Sequence, residues 1–178
     1  MLTITRNDVE SDTIVDYGNS RFIKLPIDKY LKLLPAPSGG TVFDQLNRPQ
    51  IALINAINSP KYRFVCAALS RRLGKTYISN IIAQMVLLVP NCNVLIMSPN
   101  YSLSTISFEL QRKLIGTFDL EVTRDNVKDK VIELSNGSTI RMGSINQVDS
   151  CVGRSYDLIL FDEAALSSDG EAAFNVSL

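Results

Sequence analysis

The sequence contains no histidine and no tryptophan, and it has only three cysteines. Without an imidazole, Ser-His and Cys-His catalytic groups and histidine metal clusters are excluded. Cys66, Cys92 and Cys151 are widely spaced and lack the CxxC pairing typical of zinc and redox sites. We therefore expect them to be small buried residues in a reducing compartment rather than a disulfide framework.

Long apolar runs are also missing. No stretch of about 18 apolar residues is present, so we expect no membrane-spanning segment and no membrane partner. The 178 residues are 46% hydrophobic and 20% charged. These values are typical of a globular protein whose length suits one main domain.

Each sign of charge is absent from one part of the chain. Residues 45–108 contain no acid and carry six bases, whereas residues 155–178 contain five acids and no base. A cationic segment suits a polyanion, and an anionic segment could hold a divalent metal. Chance segregation would explain either segment alone. Each segment contains one of the two motifs described below, which favours the functional interpretation.

Three continuous apolar runs predict buried strands, and two amphipathic patterns predict helices between them. The strands span residues 63–69, 93–97 and 157–161, and the helices span residues 75–88 and 102–118. This alternation predicts an α/β fold with a mostly parallel central sheet flanked by helices. Ligands of such sheets bind at the carboxyl ends of the strands.

Further patterns complete the predicted fold. Residues 1–42 are interpreted as an N-terminal arm or adaptor, and residues 43–178 as the main domain, which begins with a helix at 43–58. Asn136-Gly137 between two strand-like runs predicts a β-hairpin. In the helix at 102–118, an apolar stripe is expected to face the core: Leu103, Ile106, Leu110 and Leu114.

The segment Ser70-Arg71-Arg72-Leu73-Gly74-Lys75-Thr76 connects a predicted strand to a predicted helix. This is the context of a P-loop, whose backbone N–H groups surround phosphates at a helix N-terminus. Gly74 permits close approach of the backbone, Lys75 would reach the β and γ phosphates, and the Thr76 hydroxyl would bind magnesium. Leu69 stands where the usual GxxxxGK[ST] pattern has its first glycine. We expect the whole loop to bind ATP, and an N-capped surface helix is the alternative.

A second motif follows the last predicted strand, which ends in Asp162 and Glu163. This is the Walker B pattern, in which Asp162 would hold Mg²⁺ opposite Thr76 and Glu163 would polarise the attacking water. Because adjacent residues of a strand point to opposite sides, both carboxylates can serve one site only where the strand breaks into its loop. A solvated strand end is the alternative.

Four other polar residues are candidates for the same site. Arg71 or Arg72 could stabilise charge on the transferring phosphoryl group. Arg154 could reach the nucleotide of a neighbouring subunit, although an ordinary surface arginine explains it equally well. The Gln50 amide can both donate to and accept from an adenine edge.

Together these motifs resemble the ATPase domain of the large terminase subunit of tailed bacteriophages. The arginine-containing loop SRRLGKT is the most specific element, and LILFDEAA resembles the Walker B strand with its catalytic glutamate. RPQ resembles the adenine-binding glutamine motif, and IELSNGSTIRMGS resembles the hairpin of that family. The resemblance implies a P-loop NTPase of the ASCE or RecA-like type that uses ATP and Mg²⁺.

The resemblance also implies partners and a place of action. Members of the family move double-stranded DNA into a procapsid, acting with a portal protein and a small terminase subunit. We expect a ring homo-oligomer on the portal, a monomer in isolation, and action in the host cytoplasm. Such proteins continue past Walker B to a coupling motif and a nuclease, so we expect the ATPase part without the nuclease.

Two other functions remain open at this point. A helicase-like ATPase related to the DEAD-box group shares a glutamine motif and a DE-type Walker B. Against it, DEAA has no acid or histidine at its fourth position, and the loop is rich in arginine. The second open function is a nucleotide-binding module that does not catalyse hydrolysis. The non-catalytic module is tested by asking whether the protein hydrolyses ATP or only binds it. The helicase-like ATPase is tested by asking whether activity depends on an unwinding substrate or on a portal.

Overall fold

The computed structural model describes residues 14–17, 20–23, 27–36, 38–59, 61–117, 120–147 and 153–167. The chain forms two compact units, residues 1–51 and 52–178. The predicted boundary between residues 42 and 43 stays a prediction. No helix in the described ranges is both long and apolar enough to cross a membrane.

The first unit contains a β-hairpin and short helices. Strands β1 (Ile14–Tyr17) and β2 (Ser20–Ile23) pair antiparallel. They are followed by helix α1 (Ile27–Leu33) and the single-turn helix α2 (Val42–Gln45). Buried Leu31, Leu34 and Val42 form the apolar interior between the two helices.

The helix predicted at residues 43–58 is two helices, α2 and α3 (Arg48–Ile57), so that prediction is wrong. The break has a local cause. The Gln50 N–H donates to Asn47 Oδ1 at 3.0 Å, and the Asn47 N–H donates to Gln50 Oε1 at 3.0 Å. This reciprocal capping box starts a new helix at Arg48, because it satisfies backbone donors that the first helical turn leaves unpaired.

The second unit is built around a five-stranded mixed sheet. Its elements are helix α4 (Lys75–Leu87), strand β3 (Asn93–Ser98), helix α5 (Tyr101–Thr117) and strands β4 (Val122–Asn126), β5 (Val131–Leu134), β6 (Thr139–Ser144) and β7 (Leu158–Phe161). The strand order is β4-β5-β6-β3-β7. Strand β3 is parallel to both β6 and β7, whereas β4-β5 and β5-β6 are antiparallel. The predicted α/β fold and its β5-β6 hairpin are confirmed.

The main core lies between one face of this sheet and the helices α4 and α5. Its fully buried members come from both layers: Ala83, Leu87, Val94, Ile96, Phe108, Ile115, Ile132, Leu134, Ile140 and Met142. Burial of each large apolar side chain contributes about 1.5–3 kcal/mol to the free energy of unfolding. The opposite face carries a smaller cluster of Leu95, Met97 and Ile145. The core therefore fixes β3 and β7, which carry the site at their carboxyl ends.

A polar seam runs between α4 and α5. The buried residues of this seam are Asn80, Gln84, Ser104, Ser107 and Gln111. Gln111 Nε2 donates to Gln84 Oε1 across the interface. Ile106 is instead 59% exposed, so its predicted place in the core is wrong. The buried side of α5 is rotated away from Ile106 and includes Ser104, Ser107 and Gln111. Gln111 pairs with Gln84 of α4, whereas Ser104 Oγ accepts from Lys130 Nζ at 2.8 Å.

Residues 63–69 form no strand, and the prediction of a central strand there is wrong. Phe64 is 56% exposed, and Cys66 is exposed with a free thiol, contrary to the expected burial. An extended run becomes a strand only when a neighbour satisfies its backbone groups. In the described part of the chain the sheet ends at β7, and no strand of the sheet pairs with this run. Cys92 is half-buried and also free, and Cys151 lies outside the described residues.

The turn between β5 and β6 packs against the loop that precedes β3. Gly137 has φ +83°, and a Cβ there would lie 2.3 Å from Asn91 Oδ1. The Asn91 N–H donates to the Asn136 carbonyl at 3.2 Å, and Asn136 Nδ2 donates to the Leu87 carbonyl at 2.8 Å. The Asn-Gly turn therefore needs glycine for both its backbone conformation and its close contact.

Candidate functional site

Two residues in the loop before α4 have backbone angles in the left-handed region of the φ/ψ map. Arg72 has φ 64°, and Gly74, the N-cap of α4, has φ 70°. The Gly74 carbonyl accepts the first helical hydrogen bond from the Ile78 N–H at 3.0 Å. No side chain caps this helix. The first-turn N–H groups of a helix are the donors with which a phosphate loop binds an anion.

The acidic strand end lies directly opposite the start of α4. The Asp162 N–H donates to the Met97 carbonyl at 2.9 Å, which continues the pairing with β3. Glu163 then adopts φ 55° and ψ 34° and leaves the strand. This break allows both carboxylates to contact neighbouring residues of α4. Asp162 Oδ2 lies 2.7 Å from Thr76 Oγ1, and Glu163 Oε1 lies 3.1 Å from Lys75 Nζ.

Lys75 connects the two motifs through its ammonium group. Besides Glu163, Nζ contacts the Leu69 carbonyl, to which it donates at 3.2 Å. Its side chain is 22% exposed and that of Glu163 is 37% exposed. Asn80 supports the same turn of α4, because its Nδ2 donates to the Thr76 carbonyl at 2.8 Å. An asparagine four residues after the loop threonine was a signal that sequence reasoning missed.

The pair of Thr76 and Asp162 fits a magnesium ion. A hydroxyl and a carboxylate oxygen 2.7 Å apart are hard oxygen donors of the type that Mg²⁺ prefers. Within the described ranges, no group of three or more His, Cys, Asp or Glu side chains could hold a metal. Mg²⁺ characteristically binds through one or two protein oxygens together with substrate phosphates and water. Thr76 and Asp162 would therefore hold the ion with the nucleotide.

The arginines occupy surface positions. Arg71, Arg72 and Arg154 are all exposed. In the described part of the chain, the ion pairs involve other residues: Lys75–Glu163, Arg112 with Glu109 and Asp125, and Arg124–Glu133. The proposed roles of Arg71 and Arg72 in phosphoryl transfer, and of Arg154 toward a neighbouring subunit, stay predictions. Ser70 is exposed and Leu73 is half-buried in the same loop.

Gln50 belongs to the first unit and has a structural role that the sequence also signalled. Its Oε1 accepts from the Asn47 N–H, as described for the capping box. The spacing Asn-x-x-Gln before a helix is a capping signature, and it was overlooked beside the adenine interpretation. Contact of Gln50 with adenine stays a prediction.

The fold and these contacts define the class of the protein. A loop with a lysine and a threonine opens a helix and faces two carboxylates at the carboxyl end of β7, which is parallel to β3. This is the arrangement of a P-loop NTPase-like α/β fold. Residues 66–173 match the protein family described as terminase large subunit, T4likevirus-type, N-terminal. The chain belongs to this family.

Individual relatives agree with that assignment. The chain is 45% identical over 178 residues to the terminase large subunit of Escherichia phage T5, covering 99% of this chain and 39% of that protein. It therefore spans about two fifths of the relative's length. The large terminase ATPase domain of Thermus phage P74-26 has a similar fold, with TM-score 0.57 and 20% identity over 80% of this chain and 66% of that domain. A point mutant of the same domain gives TM-score 0.55 and 22% identity over 81% and 66%.

Proposed function

We propose that this chain is the ATP-binding and ATP-hydrolysing part of a DNA-packaging motor, which uses Mg-ATP to move double-stranded DNA into a procapsid. The observation that supports it is the double contact across the site, Asp162 with Thr76 and Glu163 with Lys75. The same function is supported by the relatives described above, a terminase large subunit and large terminase ATPase domains.

Each side chain has a distinct role in the proposed reaction. The ammonium of Lys75 and the first-turn N–H groups of α4 would bind the phosphates, while Thr76 and Asp162 would hold the metal. Mg²⁺, when bound, neutralises charge that develops on the phosphates. Glu163 would orient the attacking water and accept its proton. Arg71 or Arg72 would stabilise the transferring phosphoryl group.

The remaining parts of the proposal concern assembly. We infer a homo-oligomeric ring on a portal protein, with a small terminase subunit as a further partner and Arg154 directed toward the neighbouring site. The place of action would be the host cytoplasm, where the motor docks transiently on the procapsid. The acid-free segment at residues 45–108 supports contact with a polyanion, since phosphates of any sequence attract its bases.

A second candidate, nucleotide binding without turnover, is favoured by one observation. Residues 63–69 lead directly into the loop but have no strand partner in the described part of the chain, and Phe64 is 56% exposed. A loop whose preceding segment is not part of the sheet could bind phosphates without holding the geometry that hydrolysis needs.

Calorimetric titration of the 178-residue chain with a non-hydrolysable Mg-ATP analogue tests the proposal, together with a hydrolysis assay. We expect Lys75→Ala to weaken binding at least about tenfold, equivalent to about 1.4 kcal/mol. Glu163→Gln should retain binding and reduce hydrolysis by about 100-fold or more, as loss of a general base does.

Lys128→Ala, at an exposed turn position, is the control for loss of one lysine. Thermal unfolding of every variant checks that the fold is intact. Undiminished binding by a folded Lys75→Ala variant would refute the P-loop assignment. Binding without turnover by the wild type would instead establish the second candidate.

A further inference from the structure

The residues that would act on ATP are paired with one another in this structure. Lys75 Nζ lies 3.1 Å from Glu163 Oε1 and donates to the Leu69 carbonyl at 3.2 Å. Thr76 Oγ1 lies 2.7 Å from Asp162 Oδ2. Lys75, the cation expected to bind phosphate, is thus paired with Glu163, the carboxylate expected to act as the base.

The backbone of Glu163 makes this pairing possible. A residue that continued β7 would point away from its neighbour Asp162, because side chains alternate along a strand. At φ 55°, Glu163 instead lies at the start of the 3₁₀ turn Ala164–Leu166, and its side chain reaches the first residue of α4. The contact therefore depends on a backbone conformation that non-glycine residues adopt infrequently.

The partial exposure of the pair allows it to exchange partners. The side chains of Lys75 and Glu163 are 22% and 37% exposed, so both charged groups are accessible to solvent. Ion pairs at this level of exposure contribute little to stability, and a phosphate with more charge can compete with the carboxylate.

We propose that the Lys75–Glu163 pair is a resting-state latch, in which Glu163 occupies the phosphate-binding ammonium until a phosphate displaces it. Displacement frees the Glu163 carboxylate at the moment when its substrate arrives. This inference rests on the proposed function of the same site. It predicts that Glu163 weakens nucleotide binding in the wild-type protein by competing for Lys75.

A latch must be distinguished from simple repulsion between a carboxylate and a phosphate. Glu163→Gln removes the charge and would tighten binding under either explanation. Glu163→Asp keeps the charge but shortens the side chain by one methylene, which lengthens and weakens the contact with Nζ. A latch predicts tighter binding for the Asp variant, whereas repulsion predicts no gain.

The experiment titrates ADP, and separately inorganic pyrophosphate, into the 178-residue chain without Mg²⁺, so that neither hydrolysis nor the metal contributes. Glu163→Gln and Glu163→Asp should each bind about two- to fivefold tighter than the wild type, the range expected for an exposed ion pair. The matched control is Glu133→Gln, which removes the carboxylate of the Arg124–Glu133 pair at 3.0 Å and 38% exposure. It should bind as the wild type does.

Each other outcome overturns a specific claim. Tighter binding by the Gln variant alone would replace the latch with repulsion, and unchanged binding by both would remove it while leaving the ATPase proposal intact. If a wild type with a cooperative thermal transition bound neither probe, the latch would fail, and if it also failed to bind the Mg-ATP analogue, the proposed function would fail with it.

Discussion

At the scale of single residues, the site depends on one backbone conformation. Glu163 is one of four non-glycine residues with positive φ in the described chain, and it follows Asp162 directly. The left-handed conformation costs such a residue about 1–2 kcal/mol. The motif DE was evident in the sequence, and the need for a strand break followed from the alternation of side chains. The contact with Lys75 could not be predicted, because it depends on the conformation of Glu163 and on the place of α4.

A residue-scale prediction concerns Thr76, whose hydroxyl contacts Asp162. Thr76→Val keeps the shape but removes the oxygen, so we expect the enhancement of analogue binding by Mg²⁺ to fall about tenfold, while binding without the metal changes little. Thr76→Ser retains the hydroxyl and should retain the enhancement. Calorimetry with and without Mg²⁺ measures both. A Val variant with full magnesium dependence would exclude Thr76 as a ligand.

At the scale of elements, the sequence identified α4, α5, β3, β7 and the hairpin, because each has a strong local pattern. It placed Leu114 of α5 in the core correctly and Ile106 wrongly. The apolar stripe through Ile106 suggested one orientation, but the helix buries Ser107 and Gln111 and exposes Ile106. The burial of Gln111 is compensated by Gln84, its partner on the facing helix. That information belongs to the pair of helices and cannot be read from one of them.

The turn between β5 and β6 gives an element-scale prediction. Gly137→Ala should destabilise the protein by about 1–3 kcal/mol, because φ +83° disfavours a side chain and the new Cβ would lie 2.3 Å from Asn91 Oδ1. Gly116→Ala is the control, since its Cβ would meet nothing within 4 Å and alanine favours the helix by about 1 kcal/mol. Urea unfolding measures both. Equal stability of the two variants would mean that the turn tolerates a side chain.

At the scale of the whole molecule, the sequence predicted the α/β class and the family but not the state of residues 63–69. Apolar content alone predicted a central strand there. A strand also needs a neighbour, and in the described residues the sheet ends at β7. The single helix predicted at 43–58 failed for a different reason, since the Asn47–Gln50 cap lies within the predicted span.

Assembly provides the prediction at this scale. Arg154 is exposed and follows Gly153, which has φ +81°. If Arg154 acts on a neighbouring site, Arg154→Ala should reduce turnover about 1,000-fold or more only in the portal-bound ring, within the range known for arginine fingers. Turnover of the dilute chain should be unchanged. An equal loss in both conditions would contradict a role between subunits.

The exposed run before the loop also has a practical consequence. Cys66 is exposed and lies three residues before Leu69, whose carbonyl accepts from Lys75. Burial raises the pKa of the half-buried Cys92 thiol, which slows its reaction with electrophiles. In a Cys151→Ser background, a thiol-reactive fluorophore would therefore label Cys66 in preference to Cys92. The emission of that dye would report, in real time and without mutation of the site, when the lysine exchanges its protein partners for a phosphate.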